Sequence, residues 1–153
     1  MKIVKPTDDD QSARYPMVFL AGSIDNGTAE NWQERVEIAM AGYEGTIFNP
    51  RRDNWEPDVR QDISEPEFAY QVTWELDHIE EAETVFFYFS PHGPAPITLM
   101  ELGYAAMMMN CIVVCPEGYW RRGNVQVMCA RHEIPIFDSL EEGIAELKKR
   151  VKP

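Results

Sequence analysis

The sequence predicts an α/β fold: an open, parallel, five-stranded sheet with helices on both faces. Three observations predict it. Short apolar runs alternate with stretches of 3.6-residue periodicity, and strands that alternate with helices pair in parallel through right-handed crossovers. Three of the runs, Met17 to Ala21, Thr84 to Phe89 and Cys111 to Cys115, are apolar on both sides of the pleat, as strands covered by helices from both sides must be. A length of 153 residues suffices for one core that buries about 70% of the unfolded surface. One domain over residues 1–153 therefore accounts for the chain, with residues 1–16 as an irregular N-terminal segment.

The first strand, Met17 to Ala21 (MVFLA), leads to a helix with a polar start at Asn26–Thr28 and a stripe of Trp32, Val36, Ala39 and Tyr43. Thr46 to Asn49 (TIFN) is the second strand. Pro50 to Glu65 is polar, proline-punctuated and longer than a connector needs. Pro66 sits at a favourable first-turn position of a second helix, whose apolar face is Phe68, Val72, Leu76 and Ile79. The third strand, Thr84 to Phe89, runs into a helix containing Ile97 to Tyr104, and the run Met107-Met108-Met109 reads as helix packing against the sheet. Cys111 to Cys115 follows. Ile134 to Phe137 contains Pro135, which lacks a backbone donor and confines this strand to an edge. The last helix begins at a capping box, Ser139-x-x-Glu142, and buries Leu140, Ile144, Leu147 and Val151. It ends in Lys148, Lys149 and Arg150, which complement the helix dipole.

Composition removes several functions. The chain carries 26 acidic and 14 basic side chains, a net charge of −12, which argues against a nucleic-acid polymer as partner, since its phosphates demand Lys and Arg. A 44% apolar content excludes a disordered chain. No apolar run reaches the roughly 18 residues of a membrane helix. Asp8, Asp9 and Asp10 stand where an export signal would be apolar. Cys111, Cys115 and Cys129 form no C-x-x-C pair, and His78, His92 and His132 make no ligand cluster with them. No metal site is expected, and free thiols fit a reducing cytoplasm.

In open parallel sheets, ligands bind beyond the carboxyl ends of the strands. Gly22-Ser23-Ile24-Asp25, Asn49 to Asp53, Ser90 to Pro96 and Pro116 to Asn124 follow the first four strands and mark that edge. Neither G-x-G-x-x-G nor G-x-x-x-x-G-K-[ST] is present, so the usual phosphate cradles are missing. Gly22 either admits a ligand closely or merely makes the turn. Glu101 reads as a first-turn carboxylate near the positive pole of its helix, or as one half of a capping box, Thr98-x-x-Glu101. Glu75, in Trp74-Glu75-Leu76-Asp77-His78, either points along its helix toward the site or joins the solvated run of Glu80, Glu81 and Glu83. Two carboxylates about 5 Å apart would suit retaining glycosyl transfer. Arg51-Arg52 either holds a phosphate or forms internal salt bridges with Asp53 and the acidic helices. Tyr119-Trp120-Arg121-Arg122 suits an aromatic base or a partner subunit.

Five segments in order resemble the nucleoside 2-deoxyribosyltransferase family, and more closely its second branch of nucleoside 2-deoxyribosyltransferase-like proteins. They are Phe19 to Ile24, Asn49 to Trp55, Gln71 to Leu76, Pro96 to Gly103 and Cys115 to Asn124, and they span residues 17 to 137. The resemblance implies a flavodoxin-like, Rossmann-like sheet and an oligomer. It also implies cleavage of a deoxynucleoside's N-glycosidic bond with passage of the sugar to another free nucleobase. The family's nucleophile falls at Glu101 and its acidic helper nearest Glu75. The residue that reaches the 5′-hydroxyl in a neighbouring subunit falls at Asn124. The chain differs from the better-characterised branch in carrying Pro94-Ala95-Pro96 where that branch has an Asp, and Phe19 where it has a Tyr.

The expected reaction uses no cofactor, because two carboxylates suffice: Glu101 attacks the anomeric carbon while Glu75, or alternatively Asp77, protonates the leaving base. Asn49 and Asp53 are candidates for the base edge. Gly22-Ser23-Ile24 also resembles the deoxynucleoside 5′-monophosphate N-glycosidases, so a hydrolase with Ser23 and Arg51 on a 5′-phosphate is the alternative. A nucleoside-sensing domain without catalysis is a second one. Surplus apolar surface at Tyr104, Met107, Met108 and Met109, with the Tyr119-Trp120 loop, points to a homodimer or a hexamer built from dimers.

Overall fold

The structure is a computed structural model that describes residues 1–8, 11–25, 29–54 and 58–151. Its strands are β1 (Lys2–Val4), β2 (Met17–Gly22), β3 (Thr46–Phe48), β4 (Thr84–Tyr88), β5 (Cys111–Val114) and β6 (Ile136–Phe137). Its helices are α1 (Trp32–Ala39), α2 (Pro66–Glu81), α3 (Pro96–Ala105), α4 (Arg122–Arg131) and α5 (Leu140–Arg150). All strand pairs are parallel, and the order is β1-β3-β2-β4-β5-β6. This is an open, Rossmann/flavodoxin-like α/β sheet whose strand order reverses between β2 and β4.

Period-two alternation along the central strands sorts the core into two layers. Phe19, Ala21, Val85, Phe87, Cys111 and Val113 face α2, α3 and α4, where they meet Trp74, Ile79, Leu102, Ala105, Val125 and Cys129. Val18, Leu20, Phe86, Ile112 and Val114 face α1 and α5, where they meet Trp32, Val36, Leu140 and Leu147. Strands buried on both sides leave their polar residues to the ends of the strands.

Among the described residues the sheet has six strands, not five. The additional one, β1, comes from the segment expected to be irregular, and pairs Lys2, Ile3 and Val4 with Thr46, Ile47 and Phe48. Three residues are too few for periodicity to reveal, and what makes them a strand is a partner far along the chain. At the opposite edge β6 begins only after Pro135, whose carbonyl still accepts from the Val113 amide at 3.2 Å. The capping box at Ser139 and Glu142 forms as expected.

Helix details differ more. The polar start at 26–28 lies outside the described residues, and α1 ends at Ala39, which leaves Tyr43 in the following turn. The buried face of α2 is Gln71, Trp74, His78 and Ile79, whereas Phe68, Val72 and Leu76 are only half-buried. Reading apolar residues alone rotates this helix, because two of the inward side chains are polar. Met107 and Met108 lie beyond the end of α3 and are exposed rather than packed on the sheet. Helix α4 has no sequence signal beyond Val125 and Cys129, its two buried residues. Among the described residues, no helix is long and apolar enough to cross a membrane.

Candidate active site

The strand-order reversal brings the loops after β2 and β4 together. The buried Ser23 hydroxyl accepts from the Ser90 amide at 3.0 Å, and the Ser23 carbonyl accepts from the Trp32 indole at 3.0 Å. A Cβ on Gly22 would lie 2.5 Å from the Trp32 ring and 2.6 Å from the Tyr88 carbonyl, so this glycine serves close packing at the crevice floor. Two non-glycine residues with left-handed backbone flank the crevice, Asp25 (φ 48°) and Ala95 (φ 41°), each at a cost of about 1–2 kcal/mol. The Asp25 carboxylate occupies the space a Cβ on Gly93 would need, 1.9 Å from that position. The Tyr119 hydroxyl and the Trp120 indole both donate to the Pro94 carbonyl, at 2.7 and 3.0 Å. They fasten the turn that launches α3.

Helix α3 carries Glu101 and α2 carries Glu75. Glu101 stands in the second turn of α3, not the first, since the helix begins at Pro96 with Ala95 as its cap and without a side-chain cap bond. Thr98 is therefore inside the helix, and the capping-box reading of Glu101 is ruled out. With Thr98, Leu102 and Ala105, Glu101 forms the buried face, and it is only 6% exposed. No hydrogen bond holds its carboxyl among the described residues. Burial, and then the nearby charge of Glu75, push its proton affinity well above that of an ordinary carboxyl. Glu75 is half-buried, and its Oε1 accepts from the Gln71 amide at 2.7 Å. Burial raises it to about 7, against the opposing pull of the Gln71 hydrogen bond and the Arg52 guanidinium. Two acidic groups pushed up together behave as one titrating pair that resists full ionisation near neutral pH. One member can hold a proton beside the charge of the other, which is what acid-assisted nucleophilic attack requires.

The remaining expected residues are placed differently. Asp77 is exposed, two positions from Glu75 and so on the far side of α2. Asn49 is buried: its amide donates to Glu37 at 2.6 Å, and its oxygen accepts from the Arg51 backbone at 2.9 Å. The Arg51 guanidinium donates to the Ala29 and Glu30 carbonyls and to Gln33, at 2.9, 3.2 and 3.3 Å. Asp53 is exposed and paired with Lys5 at 2.7 Å. Asn124 is exposed on α4 in a groove lined by Leu99, Leu102, Gly103 and Val125. That groove lies between α3 and α4, on the opposite flank of α3 from Glu80 of α2, to which Tyr104 donates. Within one chain, then, Gly22 and Ser23 pack at the crevice, Glu75 and Glu101 act on each other from α2 and α3, and Asp53, Asp77 and Asn124 are exposed. Tyr119 is buried against Phe89 (ring centroids 4.9 Å), and of the two aromatics only Trp120 is exposed, with Arg121 stacked on it at 4.2 Å.

A carboxylate pair on adjacent helices at the reversal of a doubly wound sheet is also where the comparison with known proteins falls. The profile of the family described as nucleoside 2-deoxyribosyltransferase like matches residues 15–119. The chain belongs to this family. The match covers β2 through β5 and therefore both Glu75 and Glu101, whereas Asn124 and α4 lie beyond it. No curated protein matches the chain significantly. Trp55, in one of the family-like segments, lies outside the described residues.

Sequence reasoning missed the residues that tune the pair. Gln71 and Arg52 hold Glu75, and Ser90 closes the crevice floor against Ser23. A glutamine on the inward side of α2 was the available signal, since a polar side chain in a buried stripe needs partners.

Proposed function

We propose that the protein cleaves the N-glycosidic bond of 2′-deoxynucleosides and passes the 2-deoxyribosyl group to a second nucleobase through a covalent ester on Glu101. The observation that carries this reading is the Glu75–Glu101 pair, Glu101 buried and Glu75 half-buried, both with raised proton affinities. Glu101 attacks the anomeric carbon as the bond to the base breaks. The bonding electrons leave with the base nitrogen, which takes its proton from Glu75. Positive charge developing on the sugar favours ionised Glu101 and so shifts the proton that the pair shares from Glu101 to Glu75. The acceptor base then attacks the same carbon, its proton passes to Glu75, and the ester bond breaks to restore the Glu101 carboxylate. The two carboxyls supply the nucleophile and the acid for both halves. Nucleosides are favoured over their 5′-monophosphates because the Arg51 guanidinium is already engaged by three acceptors.

The test incubates the protein with deoxynucleosides and deoxynucleotides, with and without a second free base, and follows both bases by chromatography. Exchange that requires the acceptor, together with a protein-bound sugar on Glu101 seen by mass spectrometry, is the expected result. Base release indifferent to the acceptor would mean hydrolysis. Binding without either product would mean a sensing domain. Glu101→Gln should abolish exchange and leave the circular dichroism spectrum unchanged.

A further inference from the structure

The side-chain amide of Gln71 has both of its hydrogens and one lone pair of its oxygen engaged by partners that fix its orientation. Its Nε2 donates one hydrogen to Glu75 Oε1 at 2.7 Å and the other to the Pro50 carbonyl at 3.1 Å. Its Oε1 accepts from Arg52 Nε at 2.6 Å. A flipped amide would set oxygen against a carboxylate and a carbonyl, and NH2 against a guanidinium, so only one orientation is allowed. Arg52 is fixed in turn by Glu67 of α2 at 2.6 Å, with its side chain only 13% exposed. The guanidinium is always charged and offers no acceptor, so this chain of bonds has one direction.

We propose that Arg52 and Gln71 are positioning residues that keep Glu75 Oε1 a hydrogen-bond acceptor, so that the proton delivered to the leaving base is carried on Oε2. The proposal rests on the reading of Glu75 as the acid of the proposed reaction. The charged groups that face Glu75 are Glu101 from α3 and Arg52 from the loop after β3. Among these contacts only the Gln71 amide touches an oxygen of the carboxyl within hydrogen-bond distance. It decides which oxygen is free, and it favours ionisation of Glu75 over that of Glu101, which has no such donor.

The test compares wild type with Gln71→Met, which keeps the length of the side chain but not its amide, and with Gln71→Glu, which keeps the acceptor for Arg52 but loses the donor. Arg52→Lys, which keeps the charge and loses the fork, is the conservative control for the outer link. Carboxyl carbon NMR titration of Glu75 reads the proton affinity without turnover, and the pH profile of base exchange reads it during turnover. Gln71→Met should move the Glu75 titration upward by about one pH unit, and Gln71→Glu by more because its own charge adds to the lost donor, with the pH profile following in both. Arg52→Lys should move it less. An unchanged Glu75 titration in a folded Gln71→Met protein overturns the proposal, as does a loss of exchange that is the same at every pH. Should Gln71→Met fail to fold, Gln71→Leu, which is also neutral and lacks the amide, gives the same reading. Wild-type protein that shows no exchange, with the NMR response intact, would refute the proposed reaction and leave the hydrogen-bond relay standing.

Discussion

Replacing Glu75 with Gln should stabilise the protein, and by an amount that depends on pH. In the folded state the Glu75 carboxyl titrates at about 7, against an ordinary value of 4.5. Between those values the folded protein holds a proton that the unfolded chain releases, so stability is highest below pH 4.5 and declines as the pH rises through 7. At about 1.4 kcal/mol per pH unit, ionised Glu75 costs the fold about 3 kcal/mol above neutrality. A side-chain amide at this position is neutral at every pH and still offers an oxygen to Gln71, so Glu75→Gln removes that cost. It also withdraws the charge that raises Glu101, which adds to the gain in the same direction. Urea unfolding, followed through the fluorescence of the buried Trp32 and Trp74, measures the difference. Near pH 4 the two proteins should unfold almost together, and near pH 8.5 the variant should be more stable by about 3 kcal/mol, or about 9 °C in Tm. Equal stabilities at the higher pH would refute the account of the pair, and so would an advantage that is the same at both.

Gly22→Ala should destabilise by about 1–3 kcal/mol, because the added methyl meets the Trp32 ring and the Tyr88 carbonyl at less than contact distance; a chemical denaturation midpoint equal to wild type would contradict it. Ser139→Ala removes the hydroxyl that accepts from the Glu142 amide at the start of α5 and should cost about 1 kcal/mol, read from the same curves. Met100, Met107, Met108, Trp120 and Val127 are exposed on or near α3 and α4, and light scattering should find a homodimer or larger. A 17.6 kDa monomer with full activity at assay concentration would count against self-association.

The central sheet was legible because strands covered on both faces leave continuous apolar runs, and β2, β4 and β5 are such runs. Edge strands carry no such mark: β1 is defined by hydrogen bonds to β3, and three residues do not show a period. Glu101 could be singled out as a carboxylate among apolar neighbours, yet its burial and its place beyond the first turn depend on where α3 begins. Periodicity misplaced the face of α2 because Gln71 and His78 point inward, the first held by Arg52 and Pro50 and the second within 4.1 Å of the Trp74 ring. Asn49 shows the other limit. Its residue type suits a base edge as well as a turn, and the tertiary contact it makes with Glu37 is given by no period or motif.

The two carboxyls belong to separate helices, and what sets their spacing is the apolar layer beneath. Trp74 of α2 rests on Phe19 and Phe48, with ring centroids 6.3 Å apart in both cases, while Leu102 and Ala105 seat α3 on the same layer. Repulsion between like charges changes steeply with separation in a poorly polarisable surrounding. The pH range over which the pair holds its proton is therefore adjustable from buried core positions. A core substitution that let α2 settle nearer α3 would move the working range upward, and one that held them apart would move it downward, with the sequence at the crevice unchanged.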